Sequence, residues 1–127
     1  MTAGEAFFNE VKEAIRAEGL VVEEVTTGFM GAVKEIKKPK FFATYTRDGQ
    51  RVLIKTMHQH VSGSTADKIV AFYINMSEAP FDRVLIVVNN TFVRAFEPYL
   101  EFFEKREWTL DKVQVIAKDE LISYLRR

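Results

Sequence analysis

Five consecutive apolar residues, Val84-Leu85-Ile86-Val87-Val88, narrow the fold more than any other stretch of the chain. The run is short and mostly β-branched, so it reads as a strand rather than a helix. With no polar residue in alternation, both of its faces must be covered. The flanking segments carry helical spacing, so helices on both sides of a sheet are the expected cover.

The other elements follow from periodicity and turn chemistry. Phe8, Val11 and Ile15 recur at spacings of three and four and predict a helix over Gly4 to Gly19, with Gly19 placed to stop it. Leu20 to Val25 reads as a strand. In Thr26 to Ile36 the glycines Gly28 and Gly31 suggest a turn, and Ala32 to Ile36 a short helix. Phe41 to Thr46 and Arg51 to Met57 flank Asp48-Gly49, which predicts a β-hairpin. Ser64 or Thr65 can cap a helix running to about Asn75, with Ile69, Phe72 and Tyr73 on one face. After the buried strand, Asn90 or Thr91 is expected to cap a helix to about Arg106, followed by a strand over Lys112 to Ile116 and a helix over Asp119 to Leu125. The expected fold is a single α/β domain over residues 1–127, a mixed central sheet with a β-hairpin, flanked by helices.

Composition bounds the chemistry. The 127 residues contain no cysteine, which excludes disulfides, thiolate metal sites and a Cys nucleophile. No apolar run approaches the roughly 20 residues a membrane span needs, and the N-terminus lacks a signal-peptide pattern. The expected protein is soluble and cytoplasmic, with no membrane partner. Formal net charge is zero, from 18 basic and 18 acidic residues. The charge is unevenly spread, because residues 34–68 hold eight basic residues against three acids, a local excess of five. That block is either a solvated hairpin whose lysines blunt a sheet edge or a face that contacts phosphates.

The helix, hairpin, helix and buried strand come with specific local residues. Pro39-Lys40 precedes the first hairpin strand, Ile54-Lys55-Thr56-Met57-His58-Gln59 forms the second, and Ser62-Gly63-Ser64 with Asp67-Lys68 opens the next helix. This pattern, from about Pro39 to Val88, resembles the PD-(D/E)xK, or restriction-endonuclease-like, nuclease superfamily. The resemblance implies a core in the order αβββαβ. In that family two carboxylates at the hairpin hold Mg²⁺, and a lysine helps to activate the attacking water. Here the first acid falls on Lys40, the second on Lys55 and the lysine on Met57. A lysine ammonium has no acceptor for a cation and repels one.

The resemblance therefore implies a pseudoenzyme that binds DNA or a nucleic-acid-processing partner without cleaving it and needs no cofactor. The residues expected at phosphates are Lys40, Lys55, His58, Gln59, His60, Ser62, Ser64 and Lys68, with Lys55 and Met57 on one side of their strand. The competing reading of Lys55 is a side chain that reaches solvent or pairs with an acid. For His58 and His60, hydrogen bonding, phosphate contact or plain exposure is expected before metal binding, because no carboxylate is close in sequence. Asp48 most simply serves its turn. An active endonuclease using Mg²⁺ would instead need relocated acids, with Asp48, Glu5 or Glu10 as candidates. A third possibility is a non-enzymatic interaction or inhibitory scaffold. Phe92, Phe96, Tyr99 and Phe103 form an aromatic stripe that belongs to the core. With Leu100 and Phe102 beside it, the stripe also suits a homodimer interface.

Overall fold

The computed structural model describes residues 1–58, 65–108 and 110–127. In chain order its elements are helix α1 (Ala3–Ala17) and strands β1 (Glu23–Glu24), β2 (Phe29–Met30), β3 (Glu35–Ile36), β4 (Phe42–Arg47) and β5 (Gln50–Met57). Helix α2 (Thr65–Asn75), a single 3-10 turn (Met76–Glu78), strand β6 (Arg83–Val88), helix α3 (Asn90–Lys105), strand β7 (Val113–Ala117) and helix α4 (Lys118–Leu125) follow. Taken as α1, β1, β4, β5, α2 and β6, the chain contains the αβββαβ order.

Five strands form one sheet in the order β1-β4-β5-β6-β7, and β2 pairs with β3 in a separate ribbon. The β1–β4 and β4–β5 pairs are antiparallel, while β5–β6 and β6–β7 are parallel. The sheet is therefore mixed. Its hairpin turns at Asp48 and Gly49, whose φ angles are 53° and 77°. Both are positive, as a type I′ turn requires.

β6 is buried on both faces, and its side chains divide between two apolar clusters. Val84, Ile86 and Val88 join Phe42, Leu53, Ile69, Tyr73, Phe96 and Phe103 beneath α2 and α3. Leu85 and Val87 join Phe8, Val11, Ile15, Ala43, Ile54 and Leu121 beneath α1 and α4. The period of two along β4, β5 and β6 makes this possible, since alternate residues enter opposite clusters. The result is three layers, helices–sheet–helices.

Several expectations shift. The strand expected over Leu20 to Val25 is shortened to Glu23 and Glu24, which lie on the sheet edge against Thr44 and Ala43, with Val25 N donating to Phe42 O at 3.0 Å. The helix expected over Ala32 to Ile36 is absent, because tertiary contacts outweigh local spacing. Asn75 accepts from the main-chain N–H groups of Val33 and Lys34 at 2.8 and 3.0 Å and donates to Lys34 O at 3.2 Å. Gly31 packs so closely that a Cβ there would meet Asn75 Oδ1 at 2.4 Å, and one on Gly28 would meet Ile36 O at 2.6 Å. Asn89, not Asn90 or Thr91, takes the N-cap position of α3. From the aromatic stripe, Phe96 and Phe103 enter the core, while Tyr99 and neighbouring Phe102 face outward. Among the described residues no helix is long and apolar enough to cross a membrane.

Candidate functional site

Lys40, Phe41 and Lys55 meet where β4 begins and β5 nears its end. Phe42 lies opposite Lys55 in the strand ladder. Phe41, just before the ladder, has φ 62°. This left-handed backbone costs a residue with a Cβ about 1–2 kcal/mol and must be held by its surroundings. The Phe41 carbonyl accepts from Thr56 N at 3.2 Å. The preceding carbonyl, Lys40 O, accepts from Lys55 Nζ at 2.7 Å.

Lys55 is buried, with only 9% of its surface exposed. Its ammonium lies 4.6 Å from the Phe42 ring centre, 5.2 Å from Phe72 and 5.6 Å from Phe41. Aromatic faces attract a cation and offset part of the loss of hydration. The offset is incomplete, since burial, and then repulsion from Lys40, brings the Lys55 ammonium down to a pKa of about 8. No carboxylate among the described residues pairs with it. Lys55 thus neither reaches solvent freely nor finds an acid; it is held by a neutral carbonyl and aromatic rings. Lys40 is exposed, and its ammonium lies 5.1 Å from the same Phe41 ring.

The residues expected around this point divide into groups. Met57 lies on the same side of β5 as Lys55 and packs against the cluster beneath α2 and α3. His58 lies over Phe7 of α1, with ring centres 5.2 Å apart. It also faces Glu10, whose carboxyl is held below its ordinary value first by the hydrogen bond and charge of Lys118 and further by His58. His58 therefore sits with α1, apart from Lys55. Lys68 is exposed in the first turn of α2, and neighbouring Asp67 accepts from the Tyr99 hydroxyl at 3.2 Å. Gln59, His60, Ser62 and Ser64 lie outside the described residues.

The acids weighed as relocated catalytic groups are elsewhere. Asp48 sits at the hairpin tip, one residue beyond the Arg47–Gln50 pair, which itself lies five ladder positions, or about 17 Å, from the Phe42–Lys55 pair. Glu5 belongs to the start of α1, where the Thr2 hydroxyl accepts from Glu5 N at 3.1 Å and donates to the Glu5 carboxylate at 3.3 Å. Glu10 is committed to Lys118 at 2.5 Å. No group of three or more acids or histidines among the described residues is arranged to hold a metal. Lys40, Lys55 and Met57 offer two cations and a soft thioether, a donor set that does not fit Mg²⁺.

The basic block is also dispersed. Lys40 and Lys55 share one end of the hairpin, whereas Arg47 and Arg51 lie at the other. Arg51 covers the Phe81 ring at 4.8 Å, and its main-chain N–H donates to Asp82. The main chain of Lys34 is tied to Asn75 at the C-terminal end of α2. The eight cations therefore do not form a single continuous face. Phe72 and the left-handed Phe41 are parts of the site that sequence reasoning missed. An aromatic residue beside a strand lysine was the only available hint.

No protein-family model matches the sequence, and no curated protein matches it closely enough to count as a relative. Two solved structures share the fold. An XisH family protein from Nostoc punctiforme PCC 73102 superposes with a TM-score of 0.57 and 15% identity, covering 91% of this chain and 94% of that one. A protein of unknown function, AF1548, gives a TM-score of 0.54 and 14% identity over 87% of this chain. This chain spans only 56% of the AF1548 chain. At such identities the likeness is one of fold alone.

Proposed function

We propose that the chain is a nuclease-like protein of the PD-(D/E)xK type whose metal site has been replaced by cations, and that it binds DNA without cleaving it. The observation that carries this reading is the meeting of Lys40 and Lys55 around Phe41 with no described carboxylate paired to either. In the resembled family, acids and a metal ion occupy these positions, so the metal's positive charge is here supplied by the chain itself. Lys40 is exposed and takes the phosphate contact. Lys55 lies beneath it and raises the local potential from a poorly hydrated position, where screening is weak. Lys68 on α2 extends the contact along the backbone.

Phosphate binding of this kind releases counterions and weakens with salt. Titration with duplex and branched DNA at two salt concentrations tests it. Lys40→Gln is expected to weaken binding to every sequence and to lower the log–log salt slope by about 1. Absence of salt-dependent binding at low ionic strength would sink the proposal. A plasmid-nicking assay with and without EDTA checks the non-catalytic half. No nicking is expected, and metal-dependent nicking lost in Asp48→Ala would restore the relocated-acid endonuclease.

A further inference from the structure

A cavity of about 340 Å³ opens at the hairpin-tip end of the sheet, on the side of α4. Its size is near the lower end for small-molecule sites. Arg47 ends β4, Arg83 begins β6 and Arg127 follows α4, and all three line it. Asp48 is the one acidic side chain among the lining residues; it is 92% exposed and lies 3.9 Å from Arg47 Nε. Three guanidiniums and one acidic side chain make the lining cationic.

The arginines are steadied but not saturated. Arg47 Nη2 donates to the main-chain oxygen of Arg127 at 3.1 Å, and Arg83 Nε donates to Gln50 Oε1 at 3.2 Å. A guanidinium carries five N–H donors, so each keeps most of them for a ligand. Gln114 and Tyr45 also line the cavity. Burial pushes the Tyr45 hydroxyl up to about 12, so it stays protonated and able to donate at neutral pH. Forked donors from separate strands around a small polar cavity match a tetrahedral oxyanion.

We propose that this cavity binds a phosphate monoester dianion, held by Arg47 and Arg83 and completed by neutral donors from Gln114 and Tyr45. A monoester above its second ionisation near pH 6 carries close to two negative charges, so a cationic lining attracts it more strongly than the single charge of an internal diester. The monoester is carried either by a free nucleotide-sized molecule or by the 5′ end of a nucleic acid. The site lies at the opposite end of the hairpin from Lys40 and Lys55 and does not depend on them.

Calorimetric titration of the full chain with adenosine 5′-monophosphate, adenosine and sulfate at matched ionic strength tests the proposal. The monophosphate is expected to bind, adenosine not to bind, and sulfate to compete weakly. Arg83→Gln and Arg47→Gln are each expected to lower the affinity about tenfold or more. Gln114→Glu, which adds an acid to the cavity without removing an arginine, is expected to abolish binding, and Lys40→Gln to leave it unchanged. Binding should fade as pH drops below about 6. A second arm compares short duplexes ending in a 5′-phosphate and a 5′-hydroxyl. Preference for the phosphate end, lost in Arg83→Gln, identifies the nucleic-acid source, and binding of the nucleotide alone identifies the small-molecule source. No binding of either monoester, equal competition by sulfate, or unchanged affinity in folded arginine variants overturns the proposal.

Discussion

Lys55 carries a cost that depends on pH. A lysine in the unfolded chain ionises near 10.5, whereas burial brings native Lys55 to about 8. Between those values the unfolded chain binds the extra proton, so stability rises with pH across that window. Below pH 8 the native side chain is charged, and the full penalty of roughly 3 kcal/mol applies. Lys55→Met removes the charge but keeps the volume. It is expected to stabilise the protein by about 1–3 kcal/mol at pH 7. Urea unfolding at pH 7 and again near pH 10.5 checks this, with the advantage closing at the higher value. Tyr45 acts in the opposite direction. Its raised ionisation keeps its contribution intact below pH 10 and loses it toward pH 12. At this scale the sequence was half legible. The family pattern brought out Lys40, Lys55 and Met57, and the placement of Lys55 and Met57 on one side of β5 follows from strand alternation. The neutral carbonyl that holds Lys55 was not legible, because it depends on the sign of φ at Phe41, which tertiary packing imposes.

Helix ends show what local sequence can and cannot announce. Gly19 follows α1 with φ 83°, the left-handed position that glycine fills without strain. That stop was readable directly. Helix α3 ends in the same geometry, with Trp108 N donating to Phe103 O at 2.9 Å, but its left-handed residue is Glu107 at φ 57°. Nothing in Arg106-Glu107-Trp108 signals it. Glu107→Gly is expected to stabilise by about 0.5–1 kcal/mol, since relief of Cβ strain exceeds the added freedom of the unfolded chain. A thermal melt should show Tm raised by roughly 2–4 °C. The β2–β3 ribbon was missed for a related reason. Its helical spacing loses to Asn75, whose amide lies far away in sequence. Asn75→Ala leaves the N–H groups of Val33 and Lys34 without that acceptor and is expected to cost about 1–3 kcal/mol. Amide hydrogen exchange at Val33 and Lys34 should accelerate, while the β5–β6 ladder stays protected.

For the molecule as a whole, zero net charge proves to be a sum over separated regions. The basic block looked continuous in sequence, but the hairpin carries its cations to opposite ends, roughly 17 Å apart along the ladder. That separation gives two independent cationic places rather than one broad face. The α/β layering was legible from the buried apolar run, because a strand with no polar side must be covered twice. The sheet order has a further consequence, in time rather than in space. β5 pairs with β4 by a tight local turn but must wait for β6 on its other side. About 30 residues separate the end of β5 from the end of β6. At ribosomal speeds that is a delay of a few seconds, with the apolar side chains of Leu53 and Ile54 beside an unpaired backbone edge. A chain stopped at residue 82 is therefore expected to self-associate, visible by light scattering at micromolar concentration. Synthesis itself thus passes through a brief interval of vulnerability, during which a chaperone that shields β edges would have most to protect.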